Sequence, residues 1–288
     1  MMNHCFLIMA HDAPDLLARI ICKLYSSNHY FFVNIDKKTD DAYIKQLIFL
    51  LGERVNHVTI FRKNVNWGGY SQIRCELNLL KKAYNSGLGF DYFHLISGHD
   101  YPCVSNSNFD AFFDGQTSYM HFDNRKEVEL WKDNKYRERV MHWDLSETFL
   151  PEGLRNVASN FLNRFVKRND IDNLRAGWQW FSWTSTLVQW VLDYYHNNKS
   201  YFRRFYYTTA CDEMVFHSFL YGHIADLNIE PYNSLRFIEW KPKRYCKTLP
   251  LVLEMSEFDE IKNSKVLFCR KVSLPQSEEL LNAIDKIS

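Results

Sequence analysis

The alternation of apolar and polar positions changes period several times along the chain, and each change marks an element. Residues 5–10 (CFLIMA) are an unbroken apolar run, which predicts a strand covered on both faces. Residues 12–26 carry leucines at helical spacing, with Pro14 placed for a first helical turn. A second apolar run, 30–35, closes on Asp36, and 40–51 returns to the helical period. Residues 55–61 predict a third strand, 69–86 a long amphipathic helix stopped near Gly87 and Gly89, and 92–96 a fourth strand. This β-α-β-α-β-α-β order predicts the α/β class, a mostly parallel sheet with helices on both faces. Such sheets bind ligands at the carboxyl ends of their strands, where His11, Asp36 and Asp100 fall.

The pattern is less regular over 105–175. A polar and basic stretch (NRKEVELWKDNKYRER) precedes a helix expected over 151–167. Beyond it come an aromatic segment at 177–183 (GWQWFSW), helices over 185–197 and around 212–220, strand-like runs at 235–240 and 266–269, and a last helix after Pro275. Neither repeats nor low-complexity linkers interrupt the chain, so a single domain over 1–288 is expected.

Composition narrows the function classes. At 46% hydrophobic and 24% charged residues the chain reads as an ordinary soluble globular protein. A formal net charge of +1 and no basic stripe argue against nucleic acid as a partner. The aromatic share, 16%, suits a ring-rich core, but tryptophan and tyrosine at a surface also stack on sugar C–H faces. The seven cysteines form no CxxC and are odd in number, which predicts reduced thiols rather than a zinc knuckle or a disulfide framework, as in a cytosolic protein. The start, MMNHCFLIMAHD, has neither a basic flank nor a small-residue cleavage site and reads as a first core strand rather than a signal peptide. No apolar segment reaches the roughly 18–20 residues of a membrane-spanning helix.

Several familiar sites are absent: GxxxxGK[ST], GxGxxG after the first strand, GxSxG and HExxH. One DxD occurs, Asp170-Ile-Asp172, in a charged turn rather than at the end of an apolar strand, and reads as a chance triplet. His94, His99, Asp100 and Cys103 cluster without any standard metal-ligand spacing. Asp100 reads as an acceptor for a ligand hydroxyl, or as a cap of the next turn. Asp212-Glu213 opens TTACDEMVFHSFL, where an acid is either stabilised by the helix dipole or aimed into a cleft as a general base. Lys247, Arg270 and Lys271 read as surface cations. The alternative for FCRKV is a pair of cations after a short strand, reaching back over the sheet.

Taken in order, AHDAPDLLARI, FFVNIDKK, VNWGGYSQIRCELNLL, YFHLISGHDYPC, GWQWFSW, DEMVFHSFL, RFIEW and LFCRKV resemble the core-2/I-branching β-1,6-N-acetylglucosaminyltransferases and their xylosyltransferase relatives, glycosyltransferase family 14. The resemblance implies a GT-A fold, with a nucleotide-binding half over 1–104 and an acceptor-binding, catalytic half over 105–288. It implies an inverting transfer from a UDP-sugar, UDP-GlcNAc first and UDP-xylose next, to a glycan hydroxyl. In that family two basic side chains hold the diphosphate in place of a metal, so neither metal nor cofactor is expected. Lys271 matches one of the pair and Lys247, or a near neighbour, the other, with Arg270 beside them. Glu213 matches the catalytic base. His11 and Asp36 match uridine and ribose contacts, Trp67 a ring near the nucleotide, and Asp100 the acid that stands where a DxD would. Trp240, Trp180 and Arg139 match acceptor contacts. A bacterial cytoplasmic enzyme is the expectation, peripherally associated with the inner membrane face and acting on an oligosaccharide or lipid-linked glycan. A metal-dependent transferase of the same fold and a carbohydrate-binding protein without turnover are the alternatives.

Overall fold

The computed structural model of the protein describes residues 1–124, 136–246 and 249–288. Strands β1 (His4–Ala10), β2 (His29–Ile35), β3 (Val58–Phe61) and β4 (Tyr92–Ser97) pair in parallel in the order β3-β2-β1-β4. Helices α1 (Pro14–Leu24), α2 (Asp41–Leu51) and α3 (Tyr70–Tyr84) lie between consecutive strands, as a parallel ladder requires of its crossovers. Because side chains alternate along a strand, each strand feeds two cores. Leu7, Phe32 and Leu95 share one with Ile73 and Leu80 of α3. Phe6, Ile8, Phe31, Val33 and Ile96 share the other with Leu17 and Ile21 of α1 and Leu47 of α2. Covering both faces is why these strands read as unbroken apolar runs instead of alternating ones.

Downstream strands are β5 (Tyr101–Pro102), β6 (Ser118–Phe122), β7 (Gly177–Thr184), β8 (Ile229–Glu230), β9 (Arg236–Ile238) and β10 (Phe268–Arg270). β7 joins β4 in antiparallel and extends the main sheet to seven strands, ordered β3-β2-β1-β4-β7-β6-β8. β5, β10 and β9 form a small second sheet. Since β5 follows β4 after a three-residue turn (98–100), this small sheet is tied to the carboxyl end of β4.

Three expectations shift. Residues 52–57 form a 3₁₀ helix, so the third strand starts at Val58 rather than 55. The helix expected around 212–220 splits into a 3₁₀ turn, Cys211–Glu213, and a short helix, Val215–Leu220, which places Glu213 in a tight turn instead of at a helix start. β5 and β8 went unread because two residues carry no period. The helix over 151–167 is present as Glu152–Phe165. All seven cysteines are free thiols, and no described helix is long and apolar enough to cross a membrane.

Gly177, where β7 meets β6 beside a register shift, has no room for a side chain. A Cβ there would stand 2.0 Å from the carbonyl oxygen of His121 and 2.7 Å from the His217 ring. Gly177→Ala is expected to lower the unfolding free energy by about 1–3 kcal/mol, seen as a lower urea midpoint at unchanged m-value.

Candidate active site

A cleft of about 900 Å³ opens at the carboxyl ends of β1, β2 and β4. Its walls carry His11, Asp36, Trp67, Arg139, Trp180, Glu213, Trp240, Arg270 and Lys271. The first two come from the turns after β1 and β2, and Arg270 and Lys271 from the end of β10. Every candidate read from the sequence lines the cleft except two: Asp100 is buried beneath it, and Lys247 lies outside the described residues.

At one end, loops are pinned by carboxylates. Asp36 accepts from the Lys38 amide at 2.9 Å and the Val65 amide at 3.3 Å, with the Lys38 ammonium 3.4 Å away. It therefore fastens the turn after β2 to the segment that leads into Trp67, which is 92% exposed on the rim. His11 is largely exposed and lies 3.6 Å from Asp12. Asp12 also pairs with His99 at 3.0 Å, while the other ring nitrogen of His99 bonds the Val272 carbonyl at 2.8 Å. Burial pulls the His99 pKa down, but the hydrogen bond to Asp12 outweighs it and the net direction is upward. That pair bridges the turn after β1 to the strand end that carries Lys271.

Asp100 does not face the cleft as an acceptor for a ligand hydroxyl would. It is fully buried, and its carboxylate is occupied by protein groups: the Ser97 amide at 2.7 Å, Arg270 at 3.0 Å and Arg236 at 3.4 Å. The physical reason is that a carboxylate without solvent needs charged partners, and two guanidiniums supply them. Arg270 also bonds the Ser97 hydroxyl and lies 4.4 Å from the centroid of the Trp180 ring. Trp180 thus forms a platform beneath Arg270 within the cleft wall. Lys271, next in sequence, has its pKa lowered by burial and by the neighbouring Arg270 charge.

Glu213 lines the same cleft. Burial raises its pKa, against the pull of Arg139, whose guanidinium reaches the carboxylate at 2.8 Å. Arg139, expected as an acceptor contact, lines the cleft with its guanidinium paired to Glu213. The turn that presents Glu213 is fixed from outside. Ala210 adopts φ 49° and its amide bonds the Gly68 carbonyl at 2.6 Å, tying the turn to the loop before α3. Asp212 is pushed up to about 7 by burial and by the Glu213 charge.

The sequence reading left out several groups. Trp178 and Gln179 also line the cleft; Trp178 stacks on His121 at 4.3 Å and lies 6.5 Å from Trp240. GWQWFSW displays these rings, but the register that turns two of them toward the cleft comes from pairing with β4 and β6. Arg236, the inner partner of Asp100, did leave a signal: an arginine within a short strand-like run. The DxD stays apart from the cleft. Both aspartates are exposed, and Asp170 pairs with Arg137 at 2.6 Å.

Fold and cleft together define an α/β protein that presents a half-buried carboxylate, Glu213, and a pair of cations, Arg270 and Lys271, to one ligand space at its strand ends. The chain belongs to the Core-2/I-Branching enzyme family, whose model matches residues 5–262, and the GT-A-like core implied by the sequence accords with that membership. Among curated proteins it is similar to human Xylosyltransferase 2, 25% identical over 252 residues that cover 84% of this chain and 27% of the relative. Rat Xylosyltransferase 2 is 26% identical, with 84% and 27% covered, and rat Xylosyltransferase 1 is 24% identical, with 84% and 28% covered. The chain thus spans roughly a quarter of the length of these relatives.

A carboxyl raised from 3.8 to about 7 in the fold binds a proton that the unfolded chain has already released. The stability it contributes is full below the ordinary pKa and is lost as pH rises through about 7. Asp212→Asn is therefore expected to gain stability relative to wild type as pH climbs through that window, measured by thermal melts across a pH series.

Proposed function

We propose that the chain is an inverting glycosyltransferase that moves a sugar from a UDP-sugar to a hydroxyl of a glycan acceptor, with no metal on the diphosphate. The observation that carries this reading is that Glu213, Arg270 and Lys271 line one cleft. Glu213 takes the proton of the acceptor hydroxyl as that oxygen bonds to the anomeric carbon. The bond from this carbon to the diphosphate oxygen breaks on the opposite face, and its electron pair leaves with UDP. Arg270 and Lys271, joined by Lys247 in this proposal, stabilise the charge that builds there. Loss of one such partner costs on the order of 3 kcal/mol, about 10²-fold in rate.

Each half of the chain has a share in the proposal. His11, Asp36 and Trp67 from 1–104 take the nucleotide, while Glu213 and the rings of Trp178, Trp180 and Trp240 from 105–288 meet the sugars. Asp100 acts through Arg270 rather than on the donor. Support for the metal-free reading comes from the carboxylates: Asp100 is closed off by two guanidiniums and the DxD sits outside the cleft. GlcNAc is the donor sugar that the core-2/I-branching description favours. Xylose is the second reading, favoured by the xylosyltransferases among the relatives. An oligosaccharide or lipid-linked glycan is the proposed acceptor.

The test is UDP release from a panel of UDP-sugars with mixed oligosaccharide acceptors, with and without EDTA. Turnover with one donor that survives EDTA is expected, and Glu213→Gln is expected to lower kcat by roughly 10²- to 10⁴-fold. Loss of turnover in EDTA would overturn the metal-free mechanism, and silence with every donor would overturn the enzyme reading in favour of a sugar-binding protein.

A pH profile isolates the base. Arg139 holds the Glu213 pKa down against burial, and a general base works only when deprotonated. Arg139→Gln should let that pKa rise further, so the acid limb of kcat/KM should move to higher pH; an unmoved limb would remove Glu213 from the role.

A further inference from the structure

The amino-terminal ends of the main strands, away from the cleft, hold a second polar cluster. His4 and His29 are the first residues of β1 and β2, both fully buried, and Asp110 on the helix Asn106–Phe112 faces them with its side chain 21% exposed. One nitrogen from each imidazole and one oxygen of Asp110 lie within 4.8 Å of one another. Phe109 and Phe113 pack against the His4 ring, so the pocket is apolar apart from its donors.

One hydrogen bond fixes which atom of the His29 ring is available. His29 Nδ1 lies 2.6 Å from the Leu24 carbonyl oxygen; a carbonyl only accepts, so Nδ1 carries the proton. In the neutral ring Nε2 then presents a lone pair, yet it sits 2.7 Å from Asp110 Oδ1. Two acceptors at that distance need a proton or a cation between them. His4 Nε2, 3.8 Å from the same oxygen, has no hydrogen-bond partner. Its Nδ1 lies 3.0 Å from His94 Nε2, and His94 Nδ1 lies 2.9 Å from the Ser182 hydroxyl. With His4 Nδ1 donating into this relay, Nε2 is a second lone pair aimed at Asp110. The other Asp110 oxygen accepts from Asn28 at 3.0 Å.

We propose that His4 Nε2, His29 Nε2 and Asp110 Oδ1 form a divalent metal site suited to zinc, its fourth position left to water on the exposed side of Asp110. Zinc takes imidazole and carboxylate ligands at about 2.0–2.2 Å in tetrahedral geometry, which sets the donors about 3.4 Å apart; the observed spacing brackets that value. Ligating histidines characteristically donate their second ring N–H to a fixed acceptor, as the Leu24 carbonyl and His94 provide here. The ion clamps the starts of β1 and β2 to the helix that follows β5. Its ligands are separated along the chain by 25 and 81 residues, which is why the sequence shows no metal motif.

The experiment titrates the chelator-treated full chain with Zn²⁺ against a chromophoric competitor, and repeats the titration with Asp110→Asn, a near-isosteric change at a partly exposed position. One equivalent per chain and a zinc-dependent rise in Tm are expected for wild type. In the variant the affinity should fall on the order of 10²-fold or more, with no rise in Tm. Co²⁺ bound to wild type provides a readout that needs no variant: intense four-coordinate visible bands without thiolate charge transfer support the site. A weak six-coordinate spectrum, a thiolate band, or equal affinity in Asp110→Asn would overturn it, as would no binding at all. In that last case a protonated His29 paired with Asp110 accounts for the short contact. Asp110 lies outside the cleft, so UDP release by Asp110→Asn is expected to match wild type, and failure of the metal site is distinguishable from failure of the proposed transfer.

Discussion

The site rests on a carboxylate that nothing outside the protein touches. Asp100 sits without solvent at the turn between the main sheet and the small one, and such a charge is tolerated only when paired and hydrogen-bonded. Arg236 from β9 and Arg270 from β10 provide the pairing, and Ser97 at the end of β4 supplies an amide and a hydroxyl. Arg236 also bonds the Leu95 carbonyl at 2.6 Å. Burial lowers its pKa to about 10, which leaves it cationic at neutral pH. One buried anion therefore holds three strand ends together. Removing one partner of such a set costs about 3–5 kcal/mol, because the remaining charge is left uncompensated.

That arrangement shapes the cleft as well as the fold. Two guanidiniums against one carboxylate leave an excess of positive charge, and Arg270, spread over Trp180, carries it to the wall beside Lys271. Elsewhere on the cleft wall the balance is reversed. Asp212 and Glu213 crowd into a buried turn where their pKa values are raised, and Arg139 is the guanidinium that holds one of them back. Beneath them Glu76 is fully buried, its pKa driven up by burial, with Gln179 donating to it from the cleft wall. A carboxyl of raised pKa and a cationic wall thus arise from the same low-dielectric interior, which strengthens the electrostatics of both.

Much of this was legible before any coordinates. Unbroken apolar runs at β1, β2 and β4 could be read as two-sided strands because helices had to cover both faces, and the cleft-lining turns then followed at His11 and Asp36. Glu213 and Lys271 were legible through the motifs that carry the family resemblance. Glu213 was not legible as an element, since its helix proved to be a 3₁₀ turn held by a hydrogen bond from Ala210 to Gly68. Asp100 was found but assigned to the wrong surroundings. A carboxylate after a buried strand looks the same in sequence whether it faces a ligand or two arginines more than 130 positions away.

The sequence alone determined the period of each element, the α/β order, the family and the residue types available for chemistry, because these depend on local spacing. Tertiary structure alone decided which charges meet. It paired Asp100 with Arg236 and Arg270, set Arg139 on Glu213, and gathered His4, His29 and Asp110 at the amino-terminal end of the sheet. Each of these depends on burial and on distances across the sheet that no local pattern encodes.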